Sequence, residues 1–330
     1  MLHESVSALR RPIVLAMALV GLSALAGHTV AAYPERPIRW IVPAAAGGGA
    51  DASARVIAVE LGAVLKQQVV IDNRPGASGI IGIDLVAKAP PDGYTVGAGN
   101  ITNIAMNRAV IAKLPYDPER DLRAVVQTHF QSNVLAVTPP LPVKSVQELV
   151  AHARANPDKL SYASSGNGSS LHFAGELFNI TAGTRITHIP YKSVPLALTD
   201  LFANRIQLIF DNTSSIAPHV KSGKVRALGV TSAKRSSVLP ELPTIAEGGL
   251  KGYDLVVWSG LIVPTATPAA TVERLNTAVN GVLQTREVRE KLTQLGLEIV
   301  GGRSQDFAQL IVRESRRWSD LAKRAGIRAE

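Results

Sequence analysis

The sequence predicts an α/β protein of two lobes joined by a hinge. Strand-like and helix-like runs alternate along most of its length, which favours mostly parallel sheets. About 298 residues follow Ala32, more than one hydrophobic core usually organises. A late run, Leu255 to Val263, is apolar and extended. A chain that leaves one lobe and returns this late crosses between lobes twice, so two extended segments form the hinge.

The first residues are set apart from the fold. Arg10 and Arg11 precede an apolar run from Ile13 to Ala26, and Val30-Ala31-Ala32 offers an A-x-A-like cleavage site. The run is shorter than the roughly 20 residues of a spanning helix, so residues 1–32 read as a signal peptide cleaved near Ala32. Arg10-Arg11 is a partial twin-arginine pattern, which favours general secretion. The expected location is the periplasm. With no cysteine in the chain, lipid attachment through sulfur, disulfides and thiol catalysis are excluded together.

In the first run, Ile38 to Val42 is a strand, Ala44 to Gly49 a Gly-rich turn, and Asp51 to about Leu65 a helix with Ala54, Ile57, Ala58, Leu61 and Leu65 on one face. Asp51 reads as the cap of that helix. Val69 to Asp72 is a strand closed by the turn Asn73-Arg74-Pro75-Gly76. Ile80 to Lys88 is a helix stopped by Pro90-Pro91-Asp92-Gly93, and Tyr94 to Ala98 is a strand ending at Gly99-Asn100. Ligands of such βαβαβ sheets sit beyond the carboxyl ends of the strands. Leu122 to Thr128 and Val134 to Val137 are extended with little helix between them, the first crossing. Lobe boundaries follow: 33–130 with 257–330, and 131–256.

The second run opens with a capping box at Ser145-Val146-Gln147-Glu148 and a helix to about Ala155. Leu160 to Ala163 is a short strand, Gly166 and Gly168 permit a tight turn, and Ser169 or Ser170 caps a helix with Leu171, Phe173, Ala174, Leu177 and Phe178 on its apolar face. Ile186 to Tyr191, Ile206 to Phe210 and Val225 to Val230 are strands, separated by helices from Leu196 to Ala203 and near Ser215 to Lys221. After the return strand, Thr267-Pro268 starts a helix with proline at its first position. Ala270 to Thr285, Glu287 to Leu295 and Ser304 to about Ala325 are helices, and Glu298 to Val300 is a short strand.

Two stretches thus share one design: strand, small-residue loop, helix start. The free N–H groups of a helix's first turn, with the positive end of its dipole behind them, favour a carboxylate or phosphate. The formal charge of +9 falls to +8 once Arg10, Arg11 and Glu4 are set aside, so an anionic partner fits. Nucleic acid does not: Lys and Arg occur at most in pairs such as Lys234-Arg235, with no aromatic stacking platform.

Pro43 with Gly47-Gly48-Gly49-Ala50-Asp51, Asn73 to Gly76, Pro91 to Tyr94, Leu114 to Asp117, Tyr162 to Gly168, His188 to Lys192, Phe210 to Asn212 and Ala227 to Arg235 resemble, in the same order, motifs of the Bug family. These are extracytoplasmic solute receptors of tripartite tricarboxylate transporters, and the likeness runs from about residue 33 to residue 328. It implies a two-lobed, type II periplasmic-binding-protein fold that closes on a small carboxylate. The ligand is a di- or tricarboxylate or an aromatic carboxylate, delivered to membrane subunits; a sensor or scavenger acting through a signalling partner is the alternative. It also implies that the carboxylate is held by main-chain groups and waters between Ala44 to Gly49 and Ser164 to Ser170, neither of which contains Lys or Arg. The ligand-binding residues expected are Ala44, Ala46, Gly47, Gly48, Asn100, Ser164, Ser165, Gly166, Asn167, Ser169, Ser170, His172, Tyr191, Asp211 and Asn212. Ala44 stands where such proteins usually have an aromatic residue, and Ser193-Val194-Pro195 where they have Gly, Ser or Ala. A monomer without cofactor is expected.

Rival chemistries fit less well. Ser164, Ser165 or Ser169 with His172, His188 and Asp211 would be a hydrolase set, but no G-x-S-x-G elbow is present and capping explains the serines. His172 reads as a first-turn residue beside the loop and His188 as structural. Gly47 to Asp51 lacks the Lys-Ser/Thr of a phosphate loop, and no His, Asp or Glu group has metal-ligand spacing. Asp211, Tyr191 and Asn100 end strands where the cleft is expected, Asp211 to order a water or meet a ligand hydroxyl, Tyr191 to offer its own. The protein is read as a binder, not an enzyme.

Overall fold

The computed structural model describes residues 33–328, so the expected signal peptide, residues 1–32, lies outside the described residues. The fold below is that of the unit that begins at Arg36.

Its first half is the βαβαβ run. β1 (Ile38–Val42) pairs in parallel with β2 (Val69–Asn73) on one side and β3 (Thr95–Asn100) on the other, with α1 (Gly49–Leu65) and α2 (Ile80–Ala87) as the crossovers. α1 buries Ala54, Ile57, Ala58, Leu61 and Leu65, the stripe expected from a 3.6-residue period. After β3 the chain turns at once into a π-helical segment, Ile101–Met106, and α3 (Asn107–Val110). The sequence reading has no helix there. The start is nonetheless capped: the Asn100 side chain accepts from the Thr102 and Asn103 amides, and Asn103 Oδ1 accepts from the Asn100 N–H at 2.8 Å.

β4 (Leu122–Val137) is one continuous strand rather than two short ones. Irregularities in its register between Ala124 and Val126 and between Gln127 and His129 break the alternation that would have marked it as continuous. Leu122–Ser132 pairs antiparallel with β9 (Val256–Pro264), and Asn133–Val137 pairs antiparallel with β7 (Leu208–Asn212). The strand therefore runs from the first half of the sheet into the second, and Leu255 is already tied to the second half by its N–H to Thr231 O.

The second half repeats the parallel arrangement. α4 (Val146–Ala155) is capped by Ser145, whose side chain accepts the Glu148 N–H, while Glu148 itself reaches the Lys144 amide instead of that of Ser145. β5 (Ser161–Ser164) lies between β6 (Thr187–Pro190) and β7, connected through α5 (Ser170–Ala182) and α6 (Val194–Phe202). α7 (Thr213–Lys221) follows β7 directly, and β8 (Arg226–Val230) pairs with β4. The strand order is β2-β1-β3-β9-β4-β7-β5-β6. α8 (Ala269–Gln284) begins after Pro268, which is its cap and not its first residue as expected; α9 (Arg286–Gln294), β10 (Glu298–Ile299) and α10 (Ser304–Ala325) complete the chain.

One apolar core joins Trp258, Trp318, Tyr162, Phe173, Phe178, Phe210, Tyr253 and Phe307, all at most 2% exposed. Each such side chain contributes about 1.5–3 kcal/mol by leaving water. A second core, around Val134, Ala163, Leu171, Leu198, Leu201 and Ile209, supports β5 and β7 from the other face. No helix among the described residues is long and apolar enough to cross a membrane.

Candidate functional site

Sheet register brings the strand ends together. Asn100, at the end of β3, lies opposite Ser259, which lies opposite His129, and Asn212, at the end of β7, lies opposite Asn133. The middle of β4 therefore forms a floor between the loops of the two parallel runs. Above it opens a cleft of about 1120 Å³, walled by the β1–α1 loop on one side and the β5–α5 loop on the other.

The β1–α1 loop holds one negative charge already. Asp51 is the third residue of α1, not its cap; Gly48 is the cap and has no side chain to serve. Asp51 Oδ2 accepts the Gly47 N–H at 2.9 Å and Arg55 Nε at 2.9 Å. The Arg55 guanidinium and the Gly47 amide hold this carboxyl down at about 2. Because Arg55 neutralises Asp51, the dipole of a 17-residue helix remains to attract a ligand. Gly47 N–H, by contrast, is spent on Asp51. Gly47 has φ +81° and needs glycine, whereas Gly48 has φ −79°, open to any residue.

The β5–α5 loop is shaped from beneath. Ser164 is fully buried, and its Oγ accepts the Gly166 N–H at 3.1 Å and stands 2.6 Å from His188 Nε2. Gly166, at φ +115°, makes the turn that an L side chain would strain. Ser169 caps α5 by accepting the His172 N–H, and His172 Nδ1 accepts the Gly168 N–H at 3.2 Å. The His172 and His188 rings stack with centroids 3.7 Å apart. Burial pushes their pKa values down to about 4 and about 3, so both are neutral and coexist face to face. Ser164 and His188 are close enough for a nucleophile and base, yet Ser164 has no surface to offer a substrate, and a second imidazole stacks on His188.

Of the expected ligand residues, Ala44, Gly47, Gly48, Asn100, Ser165, Asn167, Ser169, Ser170 and Asn212 line the cleft. Ala46, Ser164, Gly166, His172, Tyr191 and Asp211 do not. Ser164, Gly166 and His172 support the loop from behind. Tyr191 donates its hydroxyl to Asp200 Oδ2 at 2.7 Å, and burial with that bond pushes its pKa up to about 12. Asp211 is fully buried behind Asn212, whose N–H it accepts at 2.8 Å; burial pushes its carboxyl up to about 6.

Several lining residues escape the sequence reading. Gln131 and His129 alternate on β4, as Val257 and Ser259 do on β9, so period two puts each pair on the cleft side. Pro75, Gly76 and Ser78 lie beyond the end of β2, and Thr213, Ser214 and Ser215 open α7. Among the described lining residues Lys221 is the one Lys or Arg. No group of His, Cys, Asp or Glu among the described residues is arranged to hold a metal.

What the cleft offers is main-chain donors. Among the described residues, no hydrogen bond is made by the amides of Gly49 and Ala50 on one side, or of Ser165, Asn167, Ser170 and Leu171 on the other, and all six residues line the cleft. First-turn amides point out of a helix along its axis. Two helix starts that border one water-filled space suit a small anion.

The chain is similar to known proteins along most of its length. Residues 53–327 match the family described as "Tripartite tricarboxylate transporter family receptor". A Pseudomonas sp. (strain P51) protein of the UPF0065 group, from the tcbD-tcbE intergenic region, is 42% identical over 88% of this chain and 86% of its own. Among solved structures, an R. palustris protein with adipate is 40% identical, covering 90% of this chain and all of that one, with a TM-score of 0.80. MatC from Rhodopseudomonas palustris with bound malate is 31% identical over 88% of this chain and 99% of that one, with a TM-score of 0.75. The mixed α/β fold is that of periplasmic solute-binding proteins.

Proposed function

The chain belongs to the tripartite tricarboxylate transporter receptor family, and from that premise we propose that it captures a small dicarboxylate between its two helix-opening loops and delivers it to the membrane subunits of such a transporter. Receptors of this family bind solutes and are not enzymes. The observation that carries the reading is the pair of helix starts, at Gly49-Ala50 and Ser170-Leu171, with unbonded amides on opposite walls of one cleft. Each supplies about 0.3–1 kcal/mol to an exposed anion and up to about 2 kcal/mol to a partly buried one. Lys221 gives a second charged group of the ligand a partner farther along the wall. Structural neighbours that hold adipate and malate support a chain of four to six carbons with a carboxylate at each end.

In this proposal the protein works in the periplasm as a monomer, and its two lobes, 33–130 with 257–330 and 131–256, swing together about the segments near Gln131 to Asn133 and Leu255 to Val256. The test is a thermal-shift screen of the mature protein against adipate, malate, succinate, benzoate and neutral or cationic solutes. A true ligand at about 100 times its Kd stabilises by about 2.7 kcal/mol. Stabilisation by a neutral or cationic solute and by none of the carboxylates would reject the proposal.

A further inference from the structure

Behind Ala44 lies a second, much smaller cavity of about 30 Å³, lined by Trp40, Ser53, Thr128 and His129 among others. It shares Pro43, Ala44, Ala50, Asn100, His129 and Ser259 with the wall of the cleft. The space exists because Ala44, Ala50, Ala54 and Ala98 contribute only methyl groups to its lining.

Two of its lining residues, Trp40 and His129, carry complementary polar atoms without a hydrogen-bond partner among the described residues. Trp40 is 2% exposed, and its indole Nε1–H has no acceptor among the described residues. His129 is 8% exposed, and its hydrogen bonding fixes its tautomer. Thr128 Oγ1 donates to Ser259 O at 3.1 Å and stands 3.0 Å from His129 Nδ1. With the single hydroxyl proton of Thr128 given to Ser259 O, a carbonyl that only accepts, Thr128 accepts from Nδ1–H. Burial pushes the His129 pKa down to about 4, which keeps the ring neutral, and Nε2 is therefore left with a lone pair and no partner among the described residues. The lining thus includes one unpartnered donor, Trp40 Nε1–H, and one unpartnered acceptor, His129 Nε2. A carboxylate oxygen can only accept and an ammonium can only donate, so neither satisfies both. A hydroxyl or a water satisfies both, and a volume of this size holds one such group.

We propose that this cavity is a hydroxyl subsite: a water, or in its place a hydroxyl substituent carried near one carboxylate of the ligand, accepts from Trp40 Nε1 and donates to His129 Nε2. The hydroxyl is placed near a carboxylate because Ala44 and Ala50, at the mouth of α1, line both spaces. Only the ligand half of the proposal rests on the carboxylate reading of the cleft.

The test has two arms. The first is a crystal structure of the unliganded protein and of Trp40→Phe, which keeps an aromatic side chain and removes the donor. The expected result is an oxygen within hydrogen-bonding distance of both Trp40 Nε1 and His129 Nε2, absent or displaced in the variant. No such oxygen, or one unmoved by the substitution, overturns the subsite. The second arm is calorimetric titration with succinate and malate, which differ by one hydroxyl. If the ligand supplies the hydroxyl, malate binds about 3–10-fold tighter than succinate and Trp40→Phe abolishes that preference, whereas a retained water gives equal affinities that Trp40→Phe weakens about equally. A malate preference that survives in Trp40→Phe, or affinities for both acids that the substitution leaves unchanged, counts against the proposal. A protein that binds neither acid sinks the choice of ligand and not the cavity, which the first arm decides alone.

Discussion

At Gly166 the backbone adopts φ +115°, and the loop that bears Ser165 and Asn167 depends on that turn. Gly166→Val should therefore lower affinity for adipate by more than about 30-fold, while Ser165→Ala, which removes at most one side-chain hydrogen bond, costs about 2–10-fold. Equal small losses in calorimetry would show that the loop's geometry is incidental. Gly48 belongs to a different class. Its φ of −79° suits any residue, and a Cβ there finds its nearest neighbour, Ala45 O, at 3.4 Å, so Gly48→Ala should fold and bind nearly as the parent does. From sequence alone Gly47 and Gly48 are alike; only the dihedral angles separate them. Asp51 is the other residue whose role depends on an angle of approach. As the third helical residue it ties Gly47 and Arg55 together, and Asp51→Ala should lower the unfolding free energy by about 1–2 kcal/mol in urea titrations. An unchanged midpoint would count against that role.

Among elements, the contact of β5, β6 and α5 is built on Ser164, His188 and His172. Their environment makes it acid-sensitive. His172, His188 and His129 have folded-state pKa values near 4, near 3 and near 4, below the usual value of 6.5, so the unfolded chain takes up their protons first as pH falls. Their contribution is complete above about pH 6.5 and is lost progressively as pH falls towards those lower values. Asp211, raised to about 6, acts in the opposite sense, since its buried carboxyl is easier to tolerate protonated. Three histidines outweigh one aspartate, so unfolding free energy should drop by on the order of 4 kcal/mol between about pH 7 and about pH 5. A flat or rising urea midpoint over that interval would contradict the burial of these rings. The elements themselves were largely legible in sequence. Apolar runs of strand length ended by Pro, Gly, Ser, Asp or Asn marked β1, β2, β3, β5 and β7, and the period of Leu171, Phe173, Ala174 and Phe178 marked α5. Ile101–Val110 was not legible, because its cap is made by the amide side chains of Asn100 and Asn103 in place of a Ser or Thr with a Glu. Tyr191 shows another limit: it ends its run at the expected place, but Asp200 on the next helix draws its hydroxyl away, a contact that spacing does not disclose.

For the whole molecule, the cleft is assembled by β4 and β9, which carry the chain between the two parallel runs. That the runs meet beyond their strand ends followed from βαβ order, while Gln131, Pro75 and Lys221 join the wall only through register and loop path. In the proposed mechanism a ligand that touches both walls gains its full interaction when they approach, and biases closure by its difference in affinity for the two states. Moving the balance from 1:99 to 99:1 takes about 5.5 kcal/mol, within reach of two helix starts and a few charge-assisted hydrogen bonds. Small-angle scattering should then show a smaller radius of gyration on saturation with adipate, and an unchanged one would argue against closure. The central claim, that main-chain donors on opposite walls hold one carboxylate ligand, is tested most directly by titrating adipate into isotope-labelled protein and following the backbone amide resonances. The account predicts that the amides of Gly49, Ala50, Ser165, Asn167, Ser170 and Leu171 move together with a single Kd. Movement confined to one of the two loops, or elsewhere in the chain, would contradict it.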